Sequence, residues 1–243
     1  MSARSSRGRD LPASLICGIA TIALCLGGGD AFAADLDVLV FGSLDAAAST
    51  FASAGAKVAP GSLARAGPAA ILTVGEGTTV ERFACGCGVL RTVPVRSLAA
   101  SAVFGHQWFL PAGVLAAFAG FETTAEARPF RQASGVRSGG RLHAEAWLQP
   151  TEPTLVQATV IAGTARGSVW ARLAWGYRIG WGYLGPEGSG YADASGHWKG
   201  AFGLHLTDFA LSALHLRVSA GLQWEAGRPG PSPYVALATW APL

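Results

Sequence analysis

The stretch "ALHLRVSAGLQWE", residues 213–225, decides the fold of this chain. Successive side chains of a β-strand point to opposite faces, so every second residue shares a face. One face of this stretch is entirely apolar and consists of Leu214, Leu216, Val218, Ala220, Leu222 and Trp224. The other face is polar or small and consists of His215, Arg217, Ser219, Gly221, Gln223 and Glu225. The stretch therefore predicts a long strand with one apolar face and one charged face.

The same alternation recurs through the chain, and helical periodicity is almost absent. Most alternating segments are close to the roughly 9 to 11 residues of a membrane-crossing strand. The predicted strands cover residues 36–45, 48–58, 68–77, 79–92, 97–109, 112–122, 140–150, 154–164, 167–180, 182–192, 198–208, 212–225 and 232–241. Because single-chain bacterial barrels use even strand numbers, one segment is wrongly assigned or lies outside the ring. We expect about twelve strands, with residues 34–47 a lead segment or first strand and residues 48–243 the barrel.

The composition of the polar face favours a membrane barrel over a soluble β-sandwich. Its residues are Gly, Ser, Arg, His and Glu, interspersed with Trp147 and Trp170, which is typical of a narrow hydrogen-bonded lumen. A bilayer excludes unpaired strand edges, so such a chain must close on itself. The predicted fold is an all-β, antiparallel, up-and-down transmembrane-type β-barrel. Aromatic residues near strand ends are predicted to form the interfacial girdles, namely Trp108, Trp181, Trp198, Trp224, Tyr234 and Trp240.

Residues 1–33 have the pattern of a secretory signal peptide. Three arginines precede an apolar run, residues 11–26, and the small-residue site Ala31-Phe32-Ala33 follows it. A membrane anchor is the alternative, but the run is shorter than the roughly 20 residues that span a bilayer. Export and the barrel pattern together predict an outer-membrane location, with the periplasm or secretion as alternatives.

Composition and cysteine content exclude several classes of function. The formal net charge of +3 is too small for a nucleic-acid-binding protein. Outside the signal peptide only Cys85 and Cys87 remain, and they form either a short-range disulfide in a bent strand or part of a metal site. A metal site is disfavoured because no second Cys or His pair has ligand spacing. We therefore predict no metal and no cofactor.

The connections between predicted strands alternate in length, as outer-membrane barrels require. The longer connections are 59–67, 93–96, 123–139, 165–166, 193–197 and 226–231, and the shorter ones are 78, 110–111, 151–153, 181 and 209–211. The longest, residues 123–139, carries Arg128, Arg131 and Arg137. It is interpreted either as a solvated surface loop or as a pore-mouth loop for an acidic or carbohydrate ligand.

Four strings resemble a known family: "FGSLDAAASTFASAGAK" (41–57), "LHAEAWLQPTEPTLVQATVIAGTARGSVWARLAWGY" (142–177), "YLGPEGSGYAD" (183–193) and "GLHLTDFALSALHLRVSAGLQW" (203–224). They are similar to the BcsS family of cellulose-biosynthesis accessory proteins. The resemblance covers most of the chain after the signal peptide and implies an exported protein of the outer membrane. The implied partners are the cellulose synthase and export machinery, cellulose itself and outer-membrane lipid. The family has no established catalytic residue or ligand to transfer.

Three functions remain open on the sequence alone: a non-catalytic accessory barrel that contacts or passes glucan, a channel for small or acidic oligosaccharides, and a glycan- or lipid-modifying enzyme. Common catalytic motifs such as G-x-S-x-G and H-E-x-x-H are absent from the sequence. His143 with Glu145, or His205 with Asp208 and His215, would be acid–base pairs in an enzyme. We instead expect a lumen network in which Arg141, Arg172, Arg178, Arg217, Glu145, Glu187 and Glu225 neutralise one another. The candidate lumen and glycan-contact residues are Arg141, His143, Glu145, Trp147, Gln149, Gln157, Trp170, Arg172, Arg178, Glu187, His205, His215 and Arg217.

Overall fold

The computed structural model describes residues 36–84, 90–127 and 134–243 of the 243-residue chain. Twelve strands form within these ranges. The first six are β1 (Leu36–Ala46), β2 (Thr50–Pro60), β3 (Gly67–Ala84), β4 (Leu90–Leu110), β5 (Gly113–Ala127) and β6 (Ser134–Leu148). The others are β7 (Thr154–Gly163), β8 (Ser168–Ile179), β9 (Gly182–Ala192), β10 (Trp198–Leu211), β11 (Leu214–Glu225) and β12 (Ser232–Pro242).

The twelve strands form one closed antiparallel barrel in which sequence neighbours are also neighbours in space. β1 closes the ring because it pairs with β2 on one side and with β12 on the other. Closure removes the unpaired edges that a bilayer would not tolerate. The predicted all-β, up-and-down barrel of about twelve strands is therefore confirmed. In the described part of the chain, no helix is long and apolar enough to span a membrane.

One predicted strand is wrong, and the error concerns the two longest strands of the structure. Residues 79–92 are not a separate strand, since 79–84 end β3 and 90–92 begin β4. The predicted connection at residue 78 is wrong because it lies inside β3, and at the adjacent Gly77 an added Cβ would come within 2.9 Å of the Phe51 ring. Glycine is therefore needed there for side-chain space, and the strand continues through it.

Two predicted connections are also wrong. Residues 93–96 lie inside β4, and most of 123–139 belongs to β5 and β6, which leaves only 128–133 between them. β3 and β4 reach 18 and 21 residues, well beyond the length needed to cross a bilayer. Residues 1–33, Cys85, Cys87, Arg128 and Arg131 lie outside the described residues, so the predictions about them remain predictions.

The two faces of the deciding stretch have the predicted exposure. Val218, Leu222 and Trp224 are 38%, 46% and 41% exposed on the exterior, whereas Arg217 and Ser219 are buried in the lumen. The other strands continue this apolar exterior with exposed Leu, Val and Phe side chains. Such an exterior with a polar interior matches lipid outside the ring. The barrel is therefore an outer-membrane protein, as predicted.

The aromatic girdle was only partly predicted correctly. Trp108, Trp181, Trp198 and Trp224 are exposed on the exterior. Tyr234 is buried, and Trp240 contacts the rings of inward-facing residues, so both were wrongly assigned to the girdle. In β12 these two residues share a face opposite the exposed Val235 and Leu237.

The two ends of the barrel differ in their connections. Leu36 and Leu243 lie at one end, called here the terminal end, together with connections 61–66, 111–112, 149–153, 180–181 and 212–213. The other end, called the distal end, has the described connections 47–49, 164–167, 193–197 and 226–231. Three of the five connections at the terminal end have only two residues, a length that the described distal connections do not show.

Candidate functional site in the barrel lumen

An apolar plug fills the lumen near the terminal end. It consists of the buried residues Ala59, Ala69, Ile71, Val103, Ala116 and Phe118, against which Phe41 and Leu63 pack. Leu63 belongs to connection 61–66, which is hydrogen-bonded to the barrel wall. The Leu63 amide donates to Asp37 Oδ2 at 2.7 Å, and Gln107 Nε2 donates to the carbonyl oxygens of Leu63 and Arg65, each at 2.8 Å. The connection is thereby held against the plug.

Side chains from distant strands meet across the lumen at the same level. The rings of Trp147 on β6 and Trp240 on β12, directly opposite in a ring of twelve, lie 5.7 Å apart in an edge-to-face contact. Lys57 on β2 forms a 3.2 Å ion pair with Glu145 on β6, and its ammonium lies 5.3 Å from the Phe118 ring centre. Contacts between strands so far apart can form only where side chains span the lumen.

Further polar contacts lie at the terminal end. His215 stacks on Trp240 at 5.7 Å, and its Nδ1 lies 2.8 Å from Asp208 Oδ1. Asp208 occupies an irregularity of β10 with a φ of 63°, which interrupts the register with β11. Gln149 and Arg178 both donate hydrogen bonds to the Tyr183 hydroxyl. These contacts add to the closure of this end.

A buried ionic network, called here the central network, crosses the middle of the lumen. Arg217 on β11 donates to Glu187 on β9 and to Gln157 on β7. Tyr234 on β12 donates to the second oxygen of Glu187 at 3.0 Å. All four residues are buried. A buried ion pair is tolerated when hydrogen bonds satisfy its remaining polar atoms, as they do for Glu187 here. His205 is also buried and lies 2.7 Å from Thr207 Oγ1 and 3.1 Å from the Trp175 carbonyl oxygen.

The distal half of the lumen contains a cavity of about 420 Å³, called here the larger cavity. One wall presents hydroxyl groups, including the hydrogen-bonded pairs Ser43–Ser53 at 2.8 Å and Thr73–Ser101 at 2.5 Å. The facing wall presents cationic and aromatic side chains, namely Arg141, His143, Arg166, Trp170, Tyr191, His197 and Lys199. A cleft with a few placed polar groups and aromatic surface has the properties of a ligand site.

A second cavity of about 120 Å³, called here the smaller cavity, adjoins the first. The two share Asp45, Trp170 and Lys199 in their linings. Arg172 also lines the smaller cavity, and its guanidinium lies 5.8 Å from the Trp170 ring centre. Its Nε is buried and has no hydrogen-bond partner among the described residues.

Charged residues at the distal rim are paired. Arg166 lies 2.5 Å from Glu126, and Glu225 pairs with Arg228 at 3.0 Å and with His197 at 3.6 Å. In connection 193–197, Asp193 accepts hydrogen bonds from the Ser195 amide at 2.9 Å and from the Tyr191 hydroxyl at 3.0 Å. Burial raises the pKa of Asp193, but the hydrogen bonds outweigh it and hold this pKa below its usual value. The carboxylate thus orders the connection.

The structure divides the thirteen predicted lumen residues into two groups. Arg141, His143, Trp170, Arg172, Glu187 and Arg217 line one of the two cavities. The other group contacts its neighbours nearer the terminal end or beneath the cavities and comprises Glu145, Trp147, Gln149, Gln157, Arg178, His205 and His215.

Arg217 and Glu187 neutralise each other, whereas other members of the expected network have partners outside it. Arg141 pairs with Glu122 at 3.2 Å, and Glu145 pairs with Lys57. Glu225 pairs with residues of the distal rim, and Arg178 bonds to a tyrosine hydroxyl. The sequence interpretation missed Asp45, Lys57, Glu122, Tyr191 and Lys199. In its strand, each of these residues lies an even number of positions from the other lumen-facing side chains, so the alternation of the strand could have identified it.

Solved structures with a similar fold are bacterial outer-membrane barrels. The translocator domain of the autotransporter NalP from Neisseria meningitidis has 10% identity and a TM-score of 0.42, with 94% of this chain and 95% of that chain covered. The beta domain of the Bordetella autotransporter BrkA has 11% identity and a TM-score of 0.44, with 86% and 98% covered. Outer membrane phospholipase A from Escherichia coli has 12% identity and a TM-score of 0.40, with 90% and 96% covered. These similarities concern the fold alone.

No curated protein matches the chain. The family model for the cellulose biosynthesis protein BcsS matches residues 39–243, which cover nearly all of the barrel. This match confirms the resemblance seen in the sequence. The chain belongs to the cellulose biosynthesis protein BcsS family.

Proposed function

We propose that this barrel is a non-catalytic accessory protein of cellulose biosynthesis that binds a segment of glucan in the distal half of its lumen. Family membership and the outer-membrane barrel fit a cellulose-related role next to the synthesis and export machinery. The observation that carries the glucan contact is the larger cavity in the distal half of the lumen.

The chemistry of the larger cavity suits a polysaccharide. Sugar rings present C–H faces that pack on aromatic side chains, and Trp170 and Tyr191 supply aromatic surface in this cavity. Sugar hydroxyl groups both donate and accept hydrogen bonds, and the opposite wall offers the hydroxyl groups of Ser43, Ser53 and Thr73. A neutral glucan can therefore be bound by the two walls together.

The contacts across the lumen support binding of glucan over its passage. A twelve-strand ring lies between barrels filled by side chains and wide porins, so its openness depends on the side chains inside. Here the Trp147–Trp240 contact, the Lys57–Glu145 pair and the central network link strands that are not neighbours in the ring. A channel for oligosaccharides would require all of them to separate.

Of the predicted acid–base pairs only His215 with Asp208 forms, and neither residue lines the larger cavity. Glu145 is ion-paired with Lys57, and the His143 ring lies 5.8 Å from the Phe118 ring. His205 and His215 have separate partners, Thr207 and Asp208, which lie at different positions of β10. Neither His205 nor His215 lines the larger cavity.

The glucan contact is tested with purified barrel in detergent micelles and neutral cello-oligosaccharides of increasing length. We expect saturable quenching or enhancement of tryptophan fluorescence, because Trp170 lines both cavities. Trp170→Ala should abolish this response, whereas Trp224→Ala on the exterior should retain it. If the wild-type barrel gives no response to any oligosaccharide, the proposed glucan contact is wrong.

Planar bilayers test whether glucan or solutes pass through the barrel. We expect no ion-conducting steps from the wild-type protein, because side chains close the lumen. Regular conductance steps would overturn the proposal in favour of a channel. Deletion in the host should in addition lower cellulose output, and His143→Ala, which changes one side chain of the larger cavity, should lower it less than deletion does.

The signal peptide remains part of the proposal. N-terminal sequencing of the protein from the outer-membrane fraction should begin near Ala34 or Asp35. A mature protein that still begins at Met1 would contradict it.

A further inference from the structure

The charges around the smaller cavity do not balance. Its lining holds two carboxylates, Asp45 and Glu187, and three cations, Arg172, Lys199 and Arg217. Glu187 and Arg217 neutralise each other within the central network. Arg172 and Lys199 thus remain with Asp45 as the single opposing carboxylate.

Arg172 is the least satisfied of these groups. Among the described residues it forms no hydrogen bond or ion pair, and its Nε is buried without a partner. Its one specific contact is with the face of Trp170. A cation withdrawn from water needs either a counter-charge or hydrogen-bond acceptors, and a guanidinium is shaped to bind a carboxylate or phosphate with two parallel bonds.

Asp45 does not complete the site. It attracts both Lys199 and Arg172 electrostatically, but it forms no ion pair or hydrogen bond with either. Even if it balanced one of the two cations, the other would remain in excess. The smaller cavity therefore lacks one negative charge.

The position of the smaller cavity indicates how an anion would arrive. Because Asp45, Trp170 and Lys199 line both cavities, a group in the smaller cavity can be covalently attached to a chain in the larger one. A volume of about 120 Å³ suits one charged substituent, and the sugar rings would lie against Trp170 and the hydroxyl wall.

We infer that the smaller cavity binds an anionic substituent, a carboxylate or a phosphate, carried by the glycan that occupies the larger cavity. The glycan part of this inference rests on the proposed function. Arg172 and Lys199 bind the anion, and Trp170 packs against the sugar that carries it. The preferred ligand is accordingly an acidic or acid-modified glucan.

The experiment compares the affinity of the purified barrel for three probes of equal length. These are a neutral cello-oligosaccharide, the same oligosaccharide with C6 oxidised to carboxylate, and the same oligosaccharide carrying a C6 phosphate. We expect at least one acidic probe to bind about tenfold more tightly than the neutral one, because charged hydrogen bonds are added. The advantage should decrease at high ionic strength. Inorganic phosphate and free glucuronate, added as competitors, show whether the anion alone suffices.

Lys199→Met and Arg172→Met should each remove the difference in affinity between the acidic probes and the neutral probe. Arg65→Met removes the same charge from an exposed side chain at the terminal end and should change nothing. If Arg172→Met does not fold, Lys199→Met alone tests the inference, because the Lys199 side chain forms no hydrogen bond or ion pair with a described residue.

The outcomes separate this inference from the proposed function. Equal affinity for neutral and acidic probes in the wild-type protein would overturn the anion site but leave glucan binding in place. A preference for acidic probes that survives both substitutions would also overturn it. Absence of binding by every probe would overturn the proposed function itself.

Discussion

The two halves of the lumen lie within the same ring of twelve strands, yet one is filled and the other holds a cavity. β3 shows the contrast along a single strand, because Ile71 is buried in the apolar plug whereas Thr73, Gly75 and Gly77 line the larger cavity. The strand number is constant along the barrel, so it cannot explain the difference. The size of the inward-facing side chains decides which half of this lumen is open.

The halves also differ in how their polar groups are satisfied. In the central network every oxygen of Glu187 has a protein partner, supplied by Arg217 and Tyr234. In the distal half Arg172 keeps a buried nitrogen without a partner. Buried polar groups that have hydrogen-bond partners stabilise the closed half. A buried polar group without a partner marks a position where a ligand could supply the missing hydrogen bond.

The largest expected effect comes from breaking the central network with Arg217→Met. The substitution leaves the Glu187 carboxylate buried without its counter-charge, so we expect a loss of about 3 to 5 kcal/mol in the free energy of unfolding. Urea unfolding of the barrel in detergent micelles, followed by tryptophan fluorescence, measures it.

The control for this prediction is the double substitution Arg217→Met with Glu187→Gln. It removes both charges, so most of the lost stability should return. If the double variant is as unstable as Arg217→Met, packing and not charge accounts for the loss.

A smaller effect is expected for Trp147→Ala, which removes one member of the contact across the lumen. Loss of a large, partly buried aromatic side chain should cost about 3 kcal/mol and extend the open space toward the terminal end. Trp198→Ala is the matched control, because Trp198 is 50% exposed on the exterior. In thermal unfolding, the midpoint temperature of Trp147→Ala should be lower than that of Trp198→Ala. Equal decreases in the two variants would show that the Trp147–Trp240 contact is not stabilising.

Much of this comparison could be predicted from the sequence, because alternation fixes which face of each strand is inward. The deciding stretch placed Leu216 and Arg217 on opposite faces, and the structure agrees. Tyr234 and Trp240 were assigned to the girdle because aromatic residues near strand ends fit either face. Their positions relative to Val235 and Leu237 were the better signal, because alternation from these exposed residues places Tyr234 and Trp240 on the inward face.

Partners across the lumen could not be predicted. Alternation places Lys57 and Glu145 inside, but their contact depends on the stagger of strands that are not neighbours. The position of the plug likewise depends on connection 61–66. Leu63 in this connection packs against the plug, although the sequence around it has the composition of an ordinary loop. The division of the lumen into closed and open halves is therefore a tertiary property.

The smallest expected effect lies at the distal rim, where Asp193→Asn weakens the hydrogen bonds that order connection 193–197. We expect a loss of about 1 kcal/mol, because charged acceptors become neutral ones. The pKa of Asp193 is lower in the folded protein than in an unfolded chain. Its contribution is therefore complete above the unfolded value of about 3.9 and is lost as the pH falls through the lower folded value. Unfolding measured at neutral pH and in this acidic range should show a difference between wild type and Asp193→Asn only at the higher pH. A difference that persists in acid would mean that the carboxylate charge does not order this rim.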